Sequence, residues 1–340
     1  MENKRNLIEQ IVTSINQVIV GKKPVIELLS IALACDGHVL IEDVPGTGKT
    51  TLALALSKTI GGSMHRVSCT PDVLPSDITG FTMYNPKNNE FEYREGAIMA
   101  NVFLADEINR TPPKTQSGLL EAMEESKVTV DGVSYHLPKP FMVMATQNPI
   151  EYLGTYPLPE AQMDRFFMKI SLGYPTEDEE LEIMSRFSKS NPLDDMKAIV
   201  RLEDIIALQN EIVNVRINPS VSRYVAQIAK ESRKDKNVAL GISPRGSLYL
   251  VRAAKAWAYY NGRDYVIPDD IKYMLLPVCA HRITPRAEAK YENLTHVDIL
   301  TAILKKATVP KGDFDGNELG VSNYGGSTLG GDNLGGELNE

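Results

Sequence analysis

The chain has little from which to build staples or metal cages. Its 340 residues include only three cysteines, Cys35, Cys69 and Cys279, far apart in sequence and odd in number. Neither a disulfide framework nor a Cys-x-x-Cys metal site follows from that spacing. The five histidines are scattered, and no His-x-x-x-His pair occurs. No run of eighteen apolar residues is present, so no segment reads as a membrane span. Residues 1–15 are amphipathic and charged, without the apolar centre of a signal peptide, and a reducing cytoplasm is the expected location. The net charge of −8 argues against a surface built to grip nucleic acid or an anionic membrane. Hydrophobic content of 43 % is ordinary for a globular protein, and the length suits two domains.

Three regions differ in texture. Up to about residue 172, short apolar runs recur at His38–Ile41, Met64–Ser68, Val102–Ala105, Phe141–Ala145 and Phe166–Ile170. They are nearly continuous rather than alternating, as strands of a parallel sheet covered on both faces are. The expected class is a three-layer α/β domain. From residue 174 to about 310 helical periodicity takes over, in Asp178–Ser188, Leu202–Val213, Val221–Glu231, Arg245–Tyr260 and Pro268–Val278. That region is expected to be an all-helical domain. The last thirty residues hold nine glycines and few β-branched residues, which reads as a disordered tail.

The sharpest signal is the run Ile41–Thr51, with Pro45, Gly46, Thr47, Gly48, Lys49, Thr50 and Thr51 between an apolar run and a helical stretch. Gly46 and Gly48 allow backbone N–H groups to turn inward around a phosphate, and the following helix adds its positive end. Lys49 places a charge at the β- and γ-phosphates, and the Thr50 hydroxyl is suited to Mg²⁺. The usual pattern G-x-x-x-x-G-K-[ST] has glycine where this chain has Asp43, whose carboxylate must point away from a triphosphate. Downstream, Val102–Ala105 ends in Asp106 and Glu107: the first suits Mg²⁺ through water, the second polarises an attacking water. Phe141–Ala145 leads to Asn148, an amide able to bond both the γ-phosphate and that water. Arg165, before the fifth apolar run, and Arg245, opening a helix of the second region, are guanidiniums able to stabilise a transferring phosphoryl group.

With these residues in view, the chain resembles the MoxR family of AAA+ ATPases across nearly all of residues 7–308. The resemblance rests on Val20-Gly21-Lys22, Glu42–Thr51, Thr70–Gly80, Glu95–Ala97, Leu104–Arg110, Pro112–Ser117, Glu121–Glu125, Ala145–Pro149, Gly154–Phe166, Ser243–Arg245 and Gly262–Ile271. It implies a parallel five-stranded sheet in the order 5-1-4-3-2 and a C-terminal helical lid. It makes Lys49 and Thr50 Walker A residues, Asp106 and Glu107 Walker B, Asn148 sensor 1 and Arg245 sensor 2. Arg165 resembles an arginine finger, with Arg110 as the competing choice, and Ile19 and Val20 resemble the segment that contacts adenine. Residues 77–97 match a helix-2 insert and residues 127–137 a pre-sensor-1 hairpin. Asp131-Gly132 within the latter is independently a type I′ turn signal.

An arginine supplied across an interface implies a ring, and a homohexamer is the expected assembly. The resemblance implies ATP and Mg²⁺ as ligands, and client proteins bearing von Willebrand factor A-type domains as partners. Two alternatives stay open: a chelatase-like or helicase-like motor subunit, and a nucleotide-gated scaffold with little hydrolysis.

Overall fold

The computed structural model describes residues 2–148, 155–188, 190–312 and 314. Pro149, Gly154 and nearly all of the Gly-rich tail lie outside them. After α1 (Glu2–Asn16) and α2 (Lys23–Ala34), β1 (Val39–Glu42) runs into the glycine turn and α3 (Lys49–Thr59). Then come β2 (Met64–Ser68), the short α4 (Pro75–Thr79), β3 (Gly80–Asn85), β4 (Glu90–Glu95), β5 (Val102–Asp106) and α5 (Pro113–Glu125). β6 (Lys127–Val130), β7 (Val133–His136), β8 (Met142–Gln147), the one-turn α6 (Glu160–Met163) and β9 (Met168–Ile170) complete the first domain.

Five of these strands form one parallel sheet, ordered β2-β5-β8-β1-β9. Counted along the chain and read from the other edge, that is 5-1-4-3-2. The central strands are buried on both faces, and alternation sends their side chains to opposite layers. Ile41, Leu104 and Met144 join Ile8, Leu29, Leu52 and Leu56 of α1–α3 on one side. Leu40, Phe103 and Val143 join Leu119 and Leu120 of α5 on the other. β2 is the exception: as an edge strand it leaves His65 and Arg66 exposed, where the sequence pattern predicts burial on both faces.

Two antiparallel hairpins branch from this layer. β3 and β4 pair from Gly80↔Glu95 to Asn85↔Glu90 and display Phe81, Met83, Tyr84 and Phe91 to solvent. β6 and β7 meet at Asp131 and Gly132, both with positive φ, as a type I′ turn requires.

The second region comprises α7 (Glu177–Phe187), α8 (Pro192–Asp195), α9 (Leu202–Val213), α10 (Pro219–Lys234), α11 (Pro244–Tyr260), α12 (Pro268–Cys279), α13 (Ala287–Tyr291) and α14 (His296–Lys306). Two short ladders, Arg216–Ile217 with Tyr265–Val266 and Val238–Leu240 with Thr284–Pro285, tie helix ends together in an otherwise helical lid. The lid is latched to the sheet domain by buried Arg282. Its guanidinium meets Asp164 Oδ1 at 2.9 Å and also donates to the carbonyls of Asp164 and Phe166. Ser243 donates to the same carboxylate at 2.9 Å. Breaking such a buried pair from one side costs about 3–5 kcal/mol.

His38, just before β1, stitches the opposite layer. Its Nδ1 accepts from Val143 N at 3.0 Å, so Nε2 carries the proton and donates to Met123 O at 3.0 Å. Burial holds the imidazoles of His38 and His281 below the ordinary histidine value of 6.5. The unfolded chain therefore binds protons that the folded chain refuses, and stability falls as the pH drops through that value. Urea melts should give a lower midpoint near pH 5.5 than near pH 7.5, and His38→Gln should lose part of that slope. Equal midpoints at the two pH values would contradict this account.

Candidate functional site

The carboxyl ends of the parallel strands gather most of the residues that the sequence singles out. After β1 the chain turns through Gly46 (φ 83°) and Gly48 (φ 87°), and no atom lies within 4 Å of where a Cβ would stand on either. The turn is thus an open cradle of backbone N–H groups at the start of α3, which suits an anion. Lys49 Nζ donates to Asp43 O at 3.1 Å and Val44 O at 2.7 Å, which folds the ammonium over the loop. Thr47 Oγ1 donates to Val44 O, and Thr50 and Thr51 open α3.

The departure at Asp43 has a structural reason. Its carboxylate is buried and points away from the cradle, accepting from Leu172 N at 2.6 Å, Gly173 N at 2.9 Å and Val44 N at 3.0 Å. The anion thereby ties the phosphate turn to the exit of β9 instead of opposing a phosphate.

At the end of β5, Asp106 Oδ1 accepts from Thr146 Oγ1 at 2.7 Å, and Arg66 reaches Asp106 Oδ2 at 2.6 Å. Glu107 N donates to the same Thr146 hydroxyl at 2.8 Å, which links the two acidic residues to the end of β8. Glu107 has φ 61°, a left-handed conformation costing about 1–3 kcal/mol for a residue with a side chain, and it re-aims the carboxylate out of the strand direction. Arg110 Nη1 pairs with Glu107 Oε2 at 3.0 Å. Asn148 follows β8 and is buried between the ends of β1 and β5, and Gln147 Oε1 and Asn109 Oδ1 are buried at this edge with no hydrogen-bond partner among the described residues.

Beside the cradle, a cavity of about 170 Å³ is lined by Ile19, Val20, Gly46, Thr47, Gly48 and Thr51. Its other wall is Gly173, Pro175, Ile183 and Phe187, which residue patterns did not single out. They come from the β9 exit and α7, which Lys22–Glu179 (3.1 Å) and bonds from Arg186 to Asn16 O and Gln17 O hold against the α1 end. Thr176 before Glu177–Glu180 is a helix-start signal in the sequence, and the structure adds the Thr176–Glu179 capping box and the packing of α7 against this cavity. Thr146 and Arg66 were likewise missed. Both are polar residues on strands next to the acidic pair.

Arg165 and Arg245 are not brought to this edge. Arg165 precedes β9, whose amino end abuts His38 through Phe167 N to His38 O at 2.7 Å. Its guanidinium lies 3.3 Å from Glu124 Oε2, and Arg245 of α11 bonds Oε1 of the same carboxylate. A cavity of about 210 Å³ at the amino ends of the strands is lined by Gly37, His38, Glu124, Arg165 and Arg245. The two arginines thus form one cluster at the end of the sheet opposite the phosphate turn.

Residues 38–168 match the model of the ATPase family associated with various cellular activities (AAA), and residues 230–303 match the AAA lid domain. Chaperone MoxR1 of Mycobacterium tuberculosis is 38 % identical over 313 residues, covering 89 % of this chain and 82 % of that protein. The chain belongs to the MoxR family of AAA+ ATPases. Protein MoxR of Paracoccus denitrificans is 32 % identical over 87 % of this chain and 94 % of its own length. An uncharacterized Bacillus subtilis protein, YeaC, is 51 % identical over 91 % of this chain and 97 % of its own length. Among solved structures, a candidate ATPase from Cytophaga hutchinsonii superposes with a TM-score of 0.85 at 40 % identity, covering 91 % of this chain and 97 % of that one. MoxR-family membership agrees with a largely apolar cavity beside the glycine cradle. Among the described residues no helix is long and apolar enough to cross a membrane, and no group of three or more His, Cys, Asp or Glu side chains could hold a metal ion.

Asp43→Ala leaves the buried N–H of Leu172 and the half-buried N–H of Gly173 without their acceptor. It should lower stability by about 2–3 kcal/mol in denaturant melts and weaken ATP binding measured by calorimetry. A variant as stable and as tight-binding as the parent would remove the tie between phosphate turn and β9.

Proposed function

We propose that this MoxR-family ATPase hydrolyses ATP in a head-to-tail ring, a homohexamer, and uses the cycle to remodel or activate partner proteins. The observation that carries this reading is the separation of charges. Lys49, Thr50, Asp106, Glu107 and Asn148 face the carboxyl edge of the sheet, while Arg165 and Arg245 share Glu124 at the amino edge. Guanidiniums placed there can complete only the site of a neighbouring copy, and repeated heterologous contacts close into rings.

In this reading the backbone of Gly46–Thr50 cradles the phosphates, and Lys49 leaves the loop carbonyls for the β- and γ-oxygens. Ile19, Val20, Ile183 and Phe187 hold the adenine in the apolar cavity. Mg²⁺, when bound with the phosphates, supplies neutralising charge, and Thr50 and Asp106 are the residues that would hold it. Glu107 and Asn148 orient the attacking water, and Glu107 takes its proton. Arg110 keeps the Glu107 carboxylate paired until that water is in place. Arg165, with Arg245 beside it, enters from the next subunit and stabilises charge on the transferring phosphoryl group. The exposed aromatic tip of the β3–β4 hairpin, Tyr84 and Phe91, is the surface we assign to clients, with von Willebrand factor A-type domains as the partner class.

Glu107→Gln should retain ATP binding and lose at least about a hundredfold in turnover. Arg165→Ala should bind ATP equally well and lose about a thousandfold. Mixed in equal amounts, the two inactive proteins should regain about a quarter of the parent rate, since half of the subunits keep Glu107 and half of their neighbours keep Arg165. Failure to regain activity in rings known to be mixed would place Arg165 outside the neighbour's site.

A further inference from the structure

Among the described residues, two surfaces at opposite ends of the sheet are left uncovered. At the amino end, next to the arginine cluster, α2, α9 and α11 enclose a groove of about 730 Å³. Its apolar floor includes Ile206, Val213 and Leu248, the last two 67 % and 65 % exposed. Three cations stand around it, Lys139, Arg252 and Lys255, beside Arg245, which is paired with Glu124, and one carboxylate, Asp36, joins the lining. At the carboxyl end, α7 turns Glu179, Ile183 and Arg186 toward the nucleotide cavity and the α1 end. Its outer face carries Leu181 and Met184, 58 % and 59 % exposed, at adjacent helical positions. Exposed Glu177, Asp178 and Glu180 crowd the first turn of the same helix.

We infer that the outer face of α7 docks into the α9–α11 groove of the next copy, with Leu181 and Met184 against Val213 and Leu248 and the acidic first turn against the cationic rim. Three observations converge on a second copy of this chain as the occupant. The charges are complementary, acidic on the helix and basic around the groove. The apolar side chains are matched in kind, and a groove of this volume has room for both. The two surfaces also lie at opposite ends of one sheet, each beside its half of the nucleotide site, so the contact that seats α7 also brings Arg165 and Arg245 toward the neighbouring phosphate turn. The contact is heterologous, as ring closure requires.

This inference rests on the ring reading above, and the test separates the two. Leu181→Cys and Leu248→Cys are prepared in the full chain, mixed with Mg²⁺ and a non-hydrolysable ATP analogue, and oxidised. Assembly is followed in parallel by mass photometry. The native cysteines are all buried, and burial pushes the Cys35 thiol in the groove wall up to about 12, which keeps it out of the reaction. A disulfide-linked dimer that forms only in the mixture, in assembled rings, supports the docking. Rings that assemble without the cross-link overturn the docking and leave the ring standing, with the groove then open to a client or to the chain's own tail. No assembly at all overturns both. As a second measure, Leu248→Glu should raise the concentration at half-assembly by at least about tenfold while the dilute protomer binds ATP unchanged. An unchanged assembly threshold would count against the groove.

Discussion

Everything in this molecule that bears on a triphosphate follows from the strands of the main sheet running the same way. In a parallel sheet each strand ends at the same edge, so residues that are remote in sequence arrive together there. The turn after β1, the acidic pair after β5 and the amide after β8 meet for that reason and no other. The same constraint sends whatever precedes a strand to the far edge. Arg165 stands immediately before β9 and His38 immediately before β1, and both lie where no phosphate bound at the turn can be reached. On the proposed reading, a chain whose phosphate turn lies at one edge of the sheet and whose Arg165 and Arg245 lie at the other holds two halves of different sites.

Within one protomer, the nucleotide pocket and the proposed contact helix are a single piece of chain. Asp43 fastens the phosphate turn to Leu172 and Gly173. Gly173 and Pro175 line the cavity, and Thr176 then caps α7. The inner face of α7 closes the cavity through Ile183 and Phe187, and its outer face is free for another surface. A ligand that orders the inner face also orders the outer one, because a helix of eleven residues turns as a unit. On the proposed reading, that gives a physical route from occupancy to subunit contact without any remote conformational relay.

Much of the first domain could be read from local pattern. Continuous apolar runs mark the three central strands, Asp131-Gly132 marks its hairpin, and the residues at the strand ends point to the edge where the phosphate turn lies. What escaped reading was always a partner distant in sequence. Asp43 reads as a departure from the phosphate-binding pattern because the N–H groups that donate to its carboxylate lie about 130 residues on, at Leu172 and Gly173. Arg165 and Arg245 each look like an ordinary surface cation until Glu124, from a third element, is placed between them. Arg66 sits in an apolar-looking run, and only the sheet order makes that run an edge strand able to present it to Asp106. The two short ladders in the lid are two or three residues long, below the length at which alternation carries a signal.

On the proposed reading, Glu124 makes the two halves interdependent. Two guanidiniums converging on one surface repel each other, and a single carboxylate between them lowers that cost in the separate protomer. The pairing is only partly buried, so water screens it, and it holds the arginines in register without locking them there. A neighbour's γ-phosphate brings more negative charge than one carboxylate and more oxygens for planar, forked donors. On the proposed reading, the arginines therefore exchange an intramolecular anion for an intermolecular one, and the exchange is favourable only while the neighbour holds the triphosphate. Once the γ-phosphate leaves, Glu124 again becomes the better partner. Assembly strength then follows nucleotide state through a competition between two anions for the same two cations.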